Sequence, residues 1–289
     1  MRPTSKKVKQ KITGLLTLFR FELPLFAGAN VVVGQIMALG AVPPFRESVL
    51  GFTSVFLISA TALILNDYFD LETDRINAPD RPLPSGKVTP NEALILSIFV
   101  TLLGFAASAL VSVPVFLTTL LVWLVGVFYN WRFKRSGIWG NLMVSFSVGM
   151  TFLFGAIAVG KPFARLVWFF CAIAFLINLG EEIAADAMDM AGDRAAGSRS
   201  IAILYGRDRA LQISAGIFGV VILLSILPFL INGLPGIYAV PMLLMDGVIL
   251  VSTVRLIRPR CTGKRGDIRR IYVSAGLAMM ALIVIRLLI

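Results

Sequence analysis

Residues Asn66 to Gly86 read NDYFDLETDRINAPDRPLPSG and lie between two long apolar segments. Asn66, Asp70 and Asp74 stand four apart, so on a helix their side chains stack along one face, with Asp67 bordering the same stripe. Arg75 and Arg81 follow at once, in a turn-rich segment closed by Pro82, Pro84 and Gly86. Carboxylates in register, backed by arginines, suit a divalent cation that carries a phosphorylated ligand. Mg²⁺ in particular is usually held by one or two carboxylates together with the phosphates of its substrate. A second stretch, Asn178 to Gly206, repeats the arrangement: Glu182, Asp186, Asp189 and Asp193 form one helical stripe, and Arg194 and Arg199 come directly after it. Asp189 and Asp193 make a DxxxD pair like Asp70 and Asp74. Two such clusters fit a pyrophosphate, which one Mg²⁺ leaves anionic and which metals plus several fixed cations balance. Breaking a carbon–oxygen bond to pyrophosphate builds negative charge on the leaving group, and preset cations stabilise it without reorganisation. The alternative for each stripe is a structural one, carboxylates and arginines stitching helices together. Ionisable groups at the edge of a spanning segment are costly and favour the functional reading.

The elements that must position these residues are membrane spans. The 289-residue chain is 57% hydrophobic, with a mean hydropathy of +0.86, which places it among polytopic membrane proteins. Nine apolar segments of roughly bilayer length are expected at about 20–40, 47–70, 91–110, 113–131, 139–158, 164–186, 209–231, 235–255 and 270–289. The stretch after the N-terminal lysines reads as a span and not as a cleaved leader. All but four of the 27 Lys and Arg residues fall at the N-terminus or in the connections after the second, fourth, sixth and eighth segments. The exceptions are Arg46, Lys161, Arg165 and Arg286. That asymmetry predicts a cytoplasmic N-terminus in the cell membrane, with both acidic clusters on the cytoplasmic face. The net charge of +11 is then an orientation signal with some attraction to membrane lipid heads, and no nucleic-acid partner is implied. Two cysteines and no histidine exclude a Ser-His triad, histidine-ligated metal and a disulfide framework. A single domain over 1–289, with a short basic N-terminal segment at 1–18, is expected.

Span four ends in Tyr129-Asn130-Trp131-Arg132-Phe133-Lys134. A bundle-facing Tyr129 would stabilise a developing cation with its ring, and Lys134 would reach the diphosphate. An interfacial belt of aromatic and snorkelling basic residues explains the same letters, and both readings stay open here; Trp131 reads as belt. Near the first span, Arg20, Glu22 and Asn30 interrupt an apolar run. Asn30 needs a partner, either a neighbouring helix or a substrate. Asn141 and Asn178 fit interhelical hydrogen bonds, and Gly28, Gly34, Gly140, Gly149 and Gly155 fit close helix contacts. The very basic segment from Arg255 to Arg270 carries no carboxylate array and reads as an inner loop at the lipid surface.

Asn66-Asp67-x-x-Asp70-x-x-x-Asp74-Arg75, Asn77-x-Pro79-x-Arg81-Pro82 and Ser85-Gly86 resemble the first signature of the UbiA superfamily of intramembrane prenyltransferases. Asp189-x-x-x-Asp193, Gly197-x-Arg199-Ser200 and Leu204-Tyr205-Gly206 resemble its second signature. The resemblance implies an all-α integral-membrane fold, a nine-helix bundle around a central cavity that takes the tail of a prenyl diphosphate. It implies Mg²⁺ bound by Asn66, Asp70, Asp74, Asp189 and Asp193, with Asp67 and Asp186 close by. Phosphate would be met by Arg75, Arg81, Lys134 and Arg199. Tyr129 and Lys134 stand five apart here, where many members have a Tyr-x-x-x-Lys spacing.

The segments Phe21 to Gly28, Tyr129 to Arg132, Gly140-Asn141 and Glu181 to Ile183 are most similar to the archaeal ether-lipid branch of the superfamily. The function this implies is transfer of a geranylgeranyl group from its diphosphate to geranylgeranylglyceryl phosphate, with release of pyrophosphate. Asp186 is one candidate to take the acceptor's proton. A lipid-phosphate acceptor needs a second anionic subsite, for which inner-face residues such as Arg20 or Arg132 are available. The alternative within the class is an aromatic prenyltransferase serving a quinone or phenazine-type electron carrier. The alternative from another class is a cation-coupled transporter, although transporters bind near the bilayer midplane and these clusters sit at one face.

Overall fold

The computed structural model describes residues 5–230, 234–258 and 264–289, so Arg2, Asn232, Gly233, Arg260 and Cys261 lie outside it. Among the described residues every regular element is helical. A basic helix α1 (Ser5–Thr17) precedes α2 (Glu22–Leu39), α3 (Phe45–Phe69) and the short α4 (Leu71–Asn77). Then come α5 (Pro90–Val111), α6 (Val113–Phe128), a π-helical turn (Tyr129–Phe133), α7 (Ile138–Ala158) and α8 (Arg165–Met188). The short α9 (Met190–Ala195) and α10 (Ile201–Tyr205) lead to α11 (Arg207–Leu230), α12 (Ala239–Ile257) and α13 (Lys264–Leu288). Nine of the described helices are long and apolar enough to cross a membrane, and they coincide with the nine expected segments to within a few residues at most ends.

The helix ends follow local chemistry. The Thr89 hydroxyl accepts from the Glu92 N–H while the Glu92 carboxylate accepts from the Thr89 N–H, a reciprocal cap that starts α5 with Pro90 at its first turn. Ser112 starts α6 with a one-way cap, its hydroxyl accepting from the Val115 N–H (3.4 Å). Gly40 closes α2 in the left-handed conformation (φ 69°) that a side chain would strain.

α2 crosses α7 where two glycines face each other's backbone. A Cβ on Gly34 would stand 2.1 Å from the Phe152 carbonyl oxygen, and one on Gly155 would stand 2.1 Å from that of Val31. Only a bare backbone permits this approach, so the two positions fix how the front of the bundle closes. α3 packs on α5, α7 on α8, α8 on α11, and α12 on α13, which returns to α2 and α8. Hydroxyl pairs pin α3 to its neighbours, Thr101 of α5 donating to Thr61 (3.2 Å) and Ser54 meeting Thr119 of α6 (3.5 Å). Inside, α3, α6 and α7 enclose an apolar cavity of about 340 Å³.

The reading of 255–270 as a lipid-surface loop is corrected in part. α13 begins at Lys264, six residues earlier than the apolar run suggests. Asp267 is fully buried, with Arg255 at 3.1 Å and Arg270 at 2.7 Å. A buried carboxylate flanked by two guanidiniums is tolerable where a bare one is not, so the charged turn folds onto α12 as helix. The N-terminal segment is also more than a charged leader. Leu18 and Val88 are fully buried against one another's neighbourhood, and Lys11 bonds Glu92 at 2.5 Å, which ties α1 to the start of α5.

Candidate active site

Both DxxxD motifs are built the same way. α3 ends at Phe69, Asp70 occupies the break, and α4 begins at Leu71; α8 ends at Met188, Asp189 occupies the break, and α9 begins at Met190. The backbone still bonds across each break, from Asp74 N–H to Asp70 C=O (2.8 Å) and from Asp193 N–H to Asp189 C=O (3.0 Å). The four-residue spacing therefore keeps its common face while the chain bends, and the first Asp of each pair sits at the elbow. This is the local consequence of a membrane span giving way to a polar turn.

The first stripe is neutralised by cations from three other elements. Asp67, buried in α3, pairs with Arg20 and has Arg81 at 3.7 Å. Asp74 receives Arg81 at 2.6 Å, and Asp70 pairs with Lys134. Arg20 takes a left-handed backbone (φ 43°), the sole non-glycine among the described residues to do so. Its guanidinium, paired with Asp67, is not spare. Arg75 turns outward onto Glu72 (2.7 Å) and stays away from the cluster.

The π-helical turn resolves the unusual Tyr129–Lys134 spacing. The Lys134 N–H bonds the Tyr129 carbonyl at 2.8 Å, five residues back, so one extra residue is absorbed as a bulge. Tyr129 thereby lines the cavity while Lys134 reaches Asp70. Asn130 donates to the Ala62 and Gly126 carbonyls (both 3.0 Å), clamping the end of α6 to α3. The Asn66 amide lies 3.1 Å from Asn130 Oδ1 and 2.8 Å from Lys134 Nζ. Trp131 and Arg132 are exposed, as a belt requires.

The second stripe is balanced far less. Asp189 pairs with Arg265 of α13, and Asp186 accepts from the Asn141 amide at 3.0 Å. Asp193 has a buried Oδ2 with no hydrogen-bond partner. Burial, with the charge of Asp189 behind it, pushes the Asp193 carboxyl above the usual carboxylate range, and the Ser200 hydroxyl opposes that push. Asn178 accepts from Ser145 (3.1 Å), the helix-to-helix bond expected of it. Asn30 is half-buried and makes no side-chain hydrogen bond among the described residues. Arg199 is exposed, and its N–H bonds the Arg135 carbonyl (3.0 Å), so the connections after α6 and α9 meet.

The donor set fits Mg²⁺. Among the described residues no three acidic side chains converge on one point as a ready-made cage. Two carboxylate stripes, one of them with an orphaned buried oxygen, suit an ion whose shell is completed by substrate phosphates. Sequence reasoning missed Arg265, which sits 76 residues from Asp189 with no spacing to announce it. Asn130 was in plain view, an amide amid apolar letters, yet its clamp depends on α3. It missed too the buried Asp246, which takes the Ser225 hydroxyl at 2.6 Å within the α11–α12 contact.

A nine-span bundle with two acidic elbows over an apolar chamber defines an intramembrane prenyltransferase. The UbiA prenyltransferase family model matches residues 27–280, and the chain belongs to that family; it is a multi-pass membrane protein. It is 35% identical over 262 residues to digeranylgeranylglyceryl phosphate synthase of Thermococcus kodakarensis, covering 90% of this chain and 93% of that one. A solved structure of digeranylgeranylglyceryl phosphate synthase superposes with a TM-score of 0.83 at 26% identity, over 96% of this chain and 99% of that one. A homologue from Archaeoglobus fulgidus bound to GPP and Mg²⁺ shares the fold, with a TM-score of 0.66 at 17% identity over 94% and 99% of the chains. Family membership sets the transporter reading aside.

Proposed function

We propose that this protein transfers a geranylgeranyl group from geranylgeranyl diphosphate to the free glycerol hydroxyl of geranylgeranylglyceryl phosphate. The step forms an ether bond and releases pyrophosphate. The observation that carries the reading is the pairing of two acidic elbows with one apolar chamber, in a chain similar along nearly its whole length to digeranylgeranylglyceryl phosphate synthases. The A. fulgidus homologue with GPP and Mg²⁺ supports Mg²⁺ as the cofactor. Asn66, Asp70 and Asp74 would hold it on one side, Asp189 and Asp193 on the other, with Asp67 anchoring the first stripe. Bound there, Mg²⁺ would neutralise charge on the departing pyrophosphate.

The chain's own residues do the rest. Lys134, Arg81 and Arg199 meet the phosphates, and the chamber between α3, α6 and α7 takes the isoprenoid tail and excludes water. Tyr129 lies against the chamber wall, where its ring faces the carbon that becomes cationic. The half-buried Asn30 and the basic inner face serve the acceptor phosphate, with Arg20 acting through Asp67. The whole chain works as one domain in the cell membrane, its N-terminus and both elbows cytoplasmic, within reach of lipid substrates.

The test is product analysis with purified protein, Mg²⁺ and geranylgeranyl diphosphate, offering geranylgeranylglyceryl phosphate and an aromatic acid together. The ether lipid is expected. Prenylation of the aromatic alone would overturn the acceptor, and no pyrophosphate with either would overturn the reaction.

A further inference from the structure

Ether formation must dispose of a proton, because the acceptor oxygen enters as a hydroxyl and leaves as an ether. We infer that Glu182 is the catalytic base that removes it, an assignment that rests on the proposed function. Among the described residues Glu182 is the one Asp or Glu that lines the apolar chamber, in a wall it shares with Tyr129 and Asn66. It lies on α8 one turn before Asp186 and two before Asp189, which places it at the junction of chamber and acidic elbow. With the diphosphate at the elbows and the tail in the chamber, the carbon that changes partners lies at that junction.

Most competing carboxylates are occupied, and Glu181 and Asp193, whose oxygens are not all partnered, stand outside the chamber lining. Asp67, Asp70 and Asp74 are held by Arg20, Lys134 and Arg81. Asp189 is held by Arg265, and Asp186 accepts from Asn141. Glu182 accepts no hydrogen bond from any described residue, and so keeps both oxygens free for an incoming hydroxyl.

The step balances. The bond from the allylic carbon to the diphosphate oxygen breaks with both electrons going to pyrophosphate. A lone pair of the glycerol oxygen forms the new carbon–oxygen bond, and the hydroxyl proton passes to a Glu182 oxygen. Glu182 then returns it to water on the elbow side. Asp186, the candidate that spacing alone offered, lies next along that stripe toward the surface.

The test is Glu182→Gln, assayed with Mg²⁺, geranylgeranyl diphosphate and geranylgeranylglyceryl phosphate. General-base loss predicts a fall in kcat of about 10²- to 10³-fold with diphosphate affinity changed less than about twofold. An acceptor bearing a thiol in place of the hydroxyl ionises at a pKa of about 8.5 and should restore the variant to within about tenfold of wild type. Glu182→Asp, which keeps a carboxylate, should retain more turnover per folded molecule than Glu182→Gln. A kcat within about threefold of wild type, a parallel loss of diphosphate binding, or no rescue by the thiol would overturn the role. A wild-type enzyme inactive with the hydroxyl acceptor would overturn the proposed function as well. An active wild type with an equally active Glu182→Gln would overturn the role of Glu182 alone.

Discussion

The two acidic elbows share a backbone design and differ in their charge balance. Each carboxylate of the first stripe already has a cation, Arg20 and Arg81 for Asp67 and Asp74, Lys134 for Asp70. In the second stripe only Asp189 has one, at the exposed end, while Asp193 keeps a buried oxygen without a partner. The first elbow is therefore a finished structure that also binds. The second carries a surplus of negative charge that its fold leaves for an arriving cation. A buried ion pair is costly to break, whereas a carboxylate oxygen buried without a partner is itself a cost, so removing a cation at the first elbow and a charge at the second should have opposite effects on stability.

The largest effect is one the elbows share. Asp70→Ala and Asp189→Ala should each lower pyrophosphate release by about 10³-fold without unfolding the protein. Near-normal rates in both would dissolve the metal assignment. Stability then separates them. Arg20→Ala strands the buried Asp67 and should cost about 3 kcal/mol, reduced if Arg81 closes in. Asp193→Asn should be neutral or stabilising by up to about 1 kcal/mol, since it neutralises a half-buried carboxylate whose buried Oδ2 has no partner. Thermal unfolding in detergent measures both; losses of equal size would erase the distinction.

These expectations show where the letters sufficed. The 3.6-residue periodicity of the carboxylates and the distribution of lysine and arginine predict the stripes and spans directly, because both depend on residues close in sequence. The partners Arg20, Arg265 and Asn130 come from other helices and follow from packing alone. The start of α13 was misplaced for the same reason, since Asp267 joins a helix only once Arg255 is opposite. The Tyr129–Lys134 spacing looked irregular until the π turn showed where the extra residue goes.

That turn gives a smaller, sharper test. Deleting Trp131, exposed and outside the chamber, should let an ordinary helical turn form and keep turnover within about tenfold of wild type. Complete loss would mean that the bulge itself is required. The least effect is expected at the rim. Lys11→Ala removes a half-exposed pair with Glu92 and should cost under about 1 kcal/mol with turnover unchanged.

The most direct test of the division between the elbows is a Mg²⁺ titration with geranylgeranyl diphosphate present, comparing wild type, Asp193→Asn and Arg75→Ala. If the second elbow's surplus charge is what the ion fills, Asp193→Asn raises the Mg²⁺ midpoint about tenfold or more, while Arg75→Ala, whose side chain is engaged with Glu72, leaves it within about twofold. Equal midpoints in wild type and Asp193→Asn would contradict the account.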